Sequence, residues 1–282
     1  MSFEGPITAA HPVAIQPRNR RFSRTSLAER WWLNGDPIAT AFYNSLSASF
    51  PYGEAFFIET LRHFRDGAEP KLAAEIDAFI KQELTHAREH LALNRRVTDA
   101  GYDVTSLEAR VDGRLKLLRE KGRIAGLAGT IALEHITAVF ARGILADPRH
   151  MKGADPEIAK LWRWHCIEEI EHKGVAFDAW LHATRDWSGW KRWWLRSRVM
   201  LFITRRFFWD RICGTMELLR QDGITVPKAA IAACWYGIVR PGMGRFILQG
   251  WLAFFRPNFH PWDHDERALI EAAAAIDPMP GH

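Results

Sequence analysis

The sequence predicts an all-α protein. Three observations carry that reading. From Phe50 to Thr184 the apolar residues recur with a helical period. No sustained run of period two interrupts them. Two Asp-Pro pairs, Asp36-Pro37 and Asp155-Pro156, each supply an N-cap acceptor followed by proline at the first helical position.

Taken in order, residues 1–27 read as an irregular arm. Pro12, Pro17, Asn19 and four arginines (Arg18, Arg20, Arg21, Arg24) leave it no core-facing pattern. A short helix runs from the Asp36 cap to about Ser47. Helices follow near 51–66, 70–98, 105–120, 123–146 and 155–184, with Gly67, Gly101, Gly122 and Gly153 as breaks. Glu157 lies in the first turn of the last of these, where the helix dipole favours an acid. After Thr184 the texture changes, because eight of the 13 tryptophans lie in residues 185–282. From Trp187 to Trp209 aromatic residues interleave with Arg and Lys, which predicts a second helical segment. The expected organisation is an arm and short helix over 1–49, a four-helix bundle over 50–184, and a basic, aromatic-rich helical extension over 185–282.

Composition narrows the class. With 282 residues, 48% hydrophobic and 25% charged, the chain is globular rather than disordered. A net charge of +5 is too mild to indicate nucleic acid. Cys166, Cys213 and Cys234 have no C-x-x-C spacing, which fits a reducing compartment better than a disulfide framework. The first twenty residues hold no apolar run of the signal-peptide kind. The longest uncharged apolar stretches, Ala229 to Val239 and Phe246 to Phe255, fall short of a spanning helix. The expected location is cytoplasmic, at most peripheral to the inner face of a membrane.

Four of the expected helices place a carboxylate in an apolar stripe. Glu54 has Phe50, Phe57, Ile58 and Leu61 as its helical neighbours, whereas Glu59 lies on a mostly polar face. The next helix carries Ile76, Phe79, Ile80, Glu83, His86 and His90 down one side, so Glu83 and His86 stand at i, i+3. Glu134 falls among Leu127, Ile131, Ala138 and Ala141. The last helix reads Ile158, Leu161, Trp162, His165, Glu169, His172, and Glu169/His172 repeat the i, i+3 spacing. A buried carboxylate is costly unless it meets a cation or donor. Carboxylates and imidazoles in such numbers suit Fe(II), Mn(II) or Zn(II).

The order Glu, Glu-x-x-His, Glu, Glu-x-x-His resembles the ferritin-like di-iron carboxylate proteins over roughly residues 50–184. That resemblance implies a four-helix bundle around two divalent ions. The implied ligands are Glu54, Glu83, His86, Glu134, Glu169 and His172, with Glu83 and Glu169, or Glu134 in place of one, as bridging, catalytic carboxylates; Glu168, at i, i+4 from His172, is the alternative to Glu169 as ligand. His90, His135, His165 and Glu168 stand beside this set as additional ligands or supporting residues. A narrower likeness rests on F-P-Y-G-E-A-F-F (50–57), Q-E-L-T-H-A-R-E-H (82–90), L-E-H-I-T-A (133–138), W-H-C-I-E-E-I-E-H-K (164–173) and F-H-P-W-D (259–263). These runs resemble a bacterial family described as predicted metal-dependent hydrolases.

The expectation drawn from these likenesses is a di-iron oxidase or oxygenase acting on a small hydrophobic or lipid-like substrate. With no flavin or nicotinamide fingerprint in the chain, electrons would come from a separate donor protein. A hydrolase using a metal-activated water, and an iron-storage protein, are the alternatives; manganese or zinc are the alternative metals. His260, Asp263, His264 and Asp265 read as a solvated C-terminal loop. Arg185, Lys191, Arg192, Arg196, Arg198, Arg205, Arg206 and Arg211, against Asp186 and Asp210 alone, suggest an anionic membrane surface as a partner.

Overall fold

A computed structural model describes residues 13–22, 29–225 and 244–277. The apolar stretch from Ala229 to Val239, Arg24 and Cys234 lie outside the described residues. The all-α expectation holds: among the described residues the regular structure is helical, apart from one isolated bridge between Leu33 and Ala154.

The helices are α1 (Pro37–Ser47), α2 (Phe50–Arg65), α3 (Pro70–Asp99), α4 (Thr105–Glu120), α5 (Arg123–Ala146), α6 (Pro156–His172), α7 (Val175–Ala183), α8 (Gly189–Gln221), α9 (Gly244–Ala253) and α10 (Arg267–Ile276). Both Asp-Pro starts are realised. The Asp36 carboxylate accepts from the Ile38 and Ala39 N–H groups, and Asp155 accepts from Glu157 and Ile158. Each satisfies two of the donors a helix start leaves unpaired. Gly101 and Gly122, with φ of 90° and 89°, end α3 and α4 in a conformation that costs other residues strain.

Helices α2, α3, α5 and α6 form the centre. α2 packs on α3, α5 on α6, α2 on α5 and α3 on α6, which closes a ring. α4 crosses from the end of α3 to the start of α5 and rests on α2, α5 and α8. α5 is the most enclosed: it is long and apolar enough to cross a membrane, but 78% of its most apolar window is buried inside the protein. That burial is what a core helix needs.

The single helix expected over 155–184 is two. The helical ladder stops at Lys173-Gly174 and restarts where the Asp178 N–H bonds the Gly174 carbonyl. Glycine is a poor helix former, by about 1 kcal/mol relative to alanine. The Lys173 ammonium is also drawn outward, to Glu266 and to the His264 carbonyl.

α8 lies along α1 and α5. Gly214 permits the close approach to α1, since a Cβ there would stand 2.3 Å from Ser45 Oγ. Two of the eight cations of residues 185–211 are interior. Arg196 donates to the carbonyls of Phe254, Arg256 and Pro257, and Arg211 donates to that of Ser45. They tie α8 to the chain rather than to a partner. Trp190, Trp194 and Trp209 remain exposed.

Candidate metal centre

Each central helix contributes a buried carboxylate to one interior space. Glu54 comes from α2, Glu83 from α3, Glu134 from α5 and Glu169 from α6, all at most 4% exposed. His86, His165 and His172 join them at no more than 2% exposure. His172 Nε2 lies 3.2 Å from Glu83 Oε1, 3.5 Å from Glu134 Oε2 and 3.7 Å from Glu169 Oε1. Glu169 Oε1 is also 3.6 Å from His86 Nδ1 and 3.0 Å from His165 Nε2. Ligand atoms of Glu54, Glu83 and His86 lie within 4.8 Å of one another, as do those of Glu83, Glu169 and His172, and those of His86, His165 and Glu169.

The inward-facing atoms lack hydrogen-bond partners among the described residues. Both oxygens of Glu54, Glu83 and Glu134, and Oε2 of Glu169, carry none. Neither do His86 Nδ1, His165 Nε2 and His172 Nε2. Buried polar atoms are nearly always paired, so ten orphans converging on one space need a common partner. Two ionised carboxylates 4 Å apart repel by roughly 4 kcal/mol at an effective dielectric of 20. Cations remove that repulsion and complete every orphan at once.

The outward ring nitrogens fix the tautomers that metal binding needs. The Gln82 amide donates to Glu171 at 2.9 Å, so its carbonyl accepts from His172 Nδ1–H at 3.0 Å. His86 Nε2–H donates to Glu168 at 3.1 Å. Ser47 donates its hydroxyl proton to Asn94, so it accepts from His90 Nδ1–H. His90 Nε2 is then free to accept from His165 Nδ1–H at 2.8 Å. In all three rings the lone pair points inward.

Burial sets the electrostatics. It pushes the carboxyls of Glu54, Glu83 and Glu134 well above the ordinary range, and neighbouring carboxylates, Glu169 among them, push them further. Glu169 is different. Burial acts upward on it too, but His165, His172 and His86 together hold it low. Burial also lowers the histidines, His86 well below its usual value and His172 to about 3. Neutral imidazoles are the form that ligates a metal.

The six implied ligands are therefore brought together. Of the four residues beside them, His165 turns an orphaned nitrogen inward. His90 hydrogen-bonds Ser47 and His165 through its two ring nitrogens, and its ligand atom also lies within 4.8 Å of those of Glu54 and His165. Glu168 turns away from the space and meets His86, Arg18 and Trp164 instead. Burial raises Glu168 to about 7 against the pull of Arg18. His135 is removed from the cluster: its Nε2 bonds the Gly250 carbonyl of α9. The C-terminal loop histidines are also apart, His260 pairing with Asp178 at 3.1 Å. Missing from the sequence reading was the outer support from Gln82, Glu171 and Arg18, although Gln82 adjoins Glu83 in the chain.

The family described as "Predicted metal-dependent hydrolase" matches residues 16–265, nearly the whole chain. The chain belongs to this family. No curated protein and no solved structure matches. The family's description and the buried His/Glu cluster agree on divalent metal binding, and the donor set, oxygen and nitrogen only, suits it.

Proposed function

We propose that the protein is a two-metal hydrolase. The observation that carries this is the set of ten unpartnered atoms facing one buried space, in a chain of the hydrolase family. Glu54, Glu83, His86, Glu134, His165, Glu169 and His172 would hold the ions. Four carboxylates balance the charge of two divalent cations. Such ions would lower the pKa of a bound water to near neutrality and polarise a scissile carbonyl or phosphoryl group.

The chain's own part follows from the contacts. Glu83 approaches His172, and Glu169 approaches His86, His165 and His172, so these two carboxylates would help hold the ions between α3 and α6. Glu168, adjacent to the centre and raised toward neutrality, can exchange a proton with His86 Nε2. Gln82 and His90 keep their histidines from rotating.

A second reading is an oxygen-activating enzyme. It draws support from the apolar walls of Phe50, Phe140 and Trp162 beside Glu169, which suit an uncharged oxidant better than a polar substrate. Metal analysis of protein purified without added metal separates the two. Two zinc or manganese ions, with ester or phosphoester cleavage abolished by Glu83→Gln, support the hydrolase. Two irons with a visible absorption that forms in air and uptake of O₂ would replace it with the oxidase.

A further inference from the structure

We propose that the cavity between α2, α4, α5 and α8 binds an anionic amphiphile with a single apolar chain. The inference deepens the metal-centre reading and rests on it for the position of the reacting group.

The cavity holds about 260 Å³, close to the lower end of small-molecule sites at ~300 Å³. Phe57, Leu115, Leu133 and Ile203 make its walls. Such a surface wants hydrocarbon. Its mouth lies where the lining is exposed, at Leu117, Phe202 and Lys121. Its inner end reaches Phe50, Thr137 and Phe207, and the same three residues line a gap of about 10 Å³ that touches His165 and Glu169. Two spaces sharing three side chains form one route from the surface to the cluster. The gap admits a water and no more, so an entering chain must displace Phe50 or Phe207.

The charges of the cavity are one-sided. Arg114, Lys121, Arg206 and Arg211 face it, against Asp210. Asp210 is already engaged by Arg114 at 3.4 Å, and Arg211 by the Ser45 carbonyl. Lys121 and Arg206 remain near the mouth. The Arg206 guanidinium stands 5.5 Å from the centre of the Phe202 ring, and its Nε has no hydrogen-bond partner among the described residues. A headgroup bearing negative charge meets these cations while its chain fills the apolar interior. Anchored so, the molecule presents its distal part to the metal side.

The test is calorimetric titration of the 282-residue protein, with metal content measured on the same sample. The ligands are dodecanoate, dodecyl phosphate, dodecanol and dodecyltrimethylammonium, all below their micelle concentrations. The two anions should bind at least tenfold more tightly than the alcohol or the cation. Each methylene removed from dodecanoate should weaken binding about fourfold, the usual transfer value. Gly53→Leu fills the cavity, since a Cβ there meets only Phe57 Cζ at 3.8 Å, and should abolish binding with metal retained. Leu115→Trp, on α4 and away from the cluster, should do the same. Lys121→Gln with Arg206→Gln should cost the anions tenfold and leave dodecanol unchanged; these side chains are not in the core, so the variant tests the idea even if the cavity-filling variants fail to fold. Absence of dodecanoate binding, or equal binding to Gly53→Leu, overturns the site. Equal affinity for dodecanol overturns the anion anchor. Metal-loaded protein that ignores dodecanoate defeats this inference alone, whereas protein that binds dodecanoate without ever holding metal defeats the functional reading alone.

Discussion

Chelation should turn a pH-tolerant protein into one that loses stability as pH rises above neutrality. Without ions, Glu54, Glu83 and Glu134 keep their protons in the folded state well past the value of 4.5 that they have when exposed. A group whose folded pKa is raised contributes stability that is fully present below its unfolded pKa and is lost as pH climbs through the folded one. His86 and His172 act oppositely. Their folded pKa lies below 6.5, so their contribution grows up to about that pH and is constant above it. Above about pH 7 the histidine contribution is constant, and the raised carboxyls of Glu54, Glu83 and Glu134 set the slope until they lose their protons. Each proton held by the folded and not the unfolded chain costs about 1.4 kcal/mol per pH unit. For a chain near this size 1 kcal/mol moves Tm by roughly 2–4 °C, so one retained proton gives about 3–6 °C per pH unit. Metal-loaded protein binds its ions through ionised carboxylates and should lack this slope. A bound ion at a hundred times its Kd also adds about 2.7 kcal/mol. The assay is Tm by circular dichroism at closely spaced pH, with and without chelator. A chelated protein with a flat Tm above neutrality, equal to that of the untreated one, would refute the reasoning: the cluster would then be a polar network complete in itself.

Substitution of the inward set should separate from substitution of its surroundings. Glu83→Ala or His172→Ala should lose at least one metal equivalent and all activity. Glu59→Ala should keep both, because Glu59 is exposed and pairs with Arg119 at 2.7 Å; metal loss there, read by elemental analysis, would put the centre on the other face of α2. His165→Ala should lower metal stoichiometry, whereas His135→Ala should leave it intact and lower Tm only. Removal of the Lys173 ammonium leaves Glu266 with a distant Arg142 at 3.9 Å, and Lys173→Met should cost up to about 3–5 kcal/mol in urea unfolding, the range for breaking a buried pair. Anionic vesicles should retain the protein at low salt through exposed Trp190, Trp194 and Trp209 with Lys191, Arg198 and Arg205; full recovery in the supernatant would dismiss that surface.

The helices and the inward carboxylates were legible because both obey local periods. A helix that must bury one stripe writes that stripe every three or four residues, and Glu54, Glu83, Glu134 and Glu169 each sit in one. The two Asp-Pro starts are local for the same reason. His165 was visible too, four residues before Glu169 and seven before His172, but spacing alone does not say which ring nitrogen is free. That depends on His90 and Ser47, which come from other helices. At the Lys173-Gly174 break the glycine is local, but the partner of Lys173, Glu266, lies far along the chain. The outer support is the least legible part: Arg18 meets Glu171 across 153 positions, and no periodicity records such a pair.

That same pair has a consequence for the order of assembly. The Arg18 guanidinium grips Glu171 at 2.7 Å and Glu168 at 3.2 Å, and the Gln16 N–H also reaches Glu171. Glu168 orients His86, and Glu171 holds the Gln82 amide that orients His172. During synthesis Arg18 emerges long before its acids exist. The arm must therefore wait, unfolded, until α6 is complete, and then close a loop of some 150 residues, whose entropic cost grows only slowly with length. At that closure Glu168 and Glu171 gain the cation that pairs with both. A chain ending before α6 holds Glu54, Glu83, His86 and Glu134 but lacks Glu168, which meets His86, and Glu171, which meets Gln82.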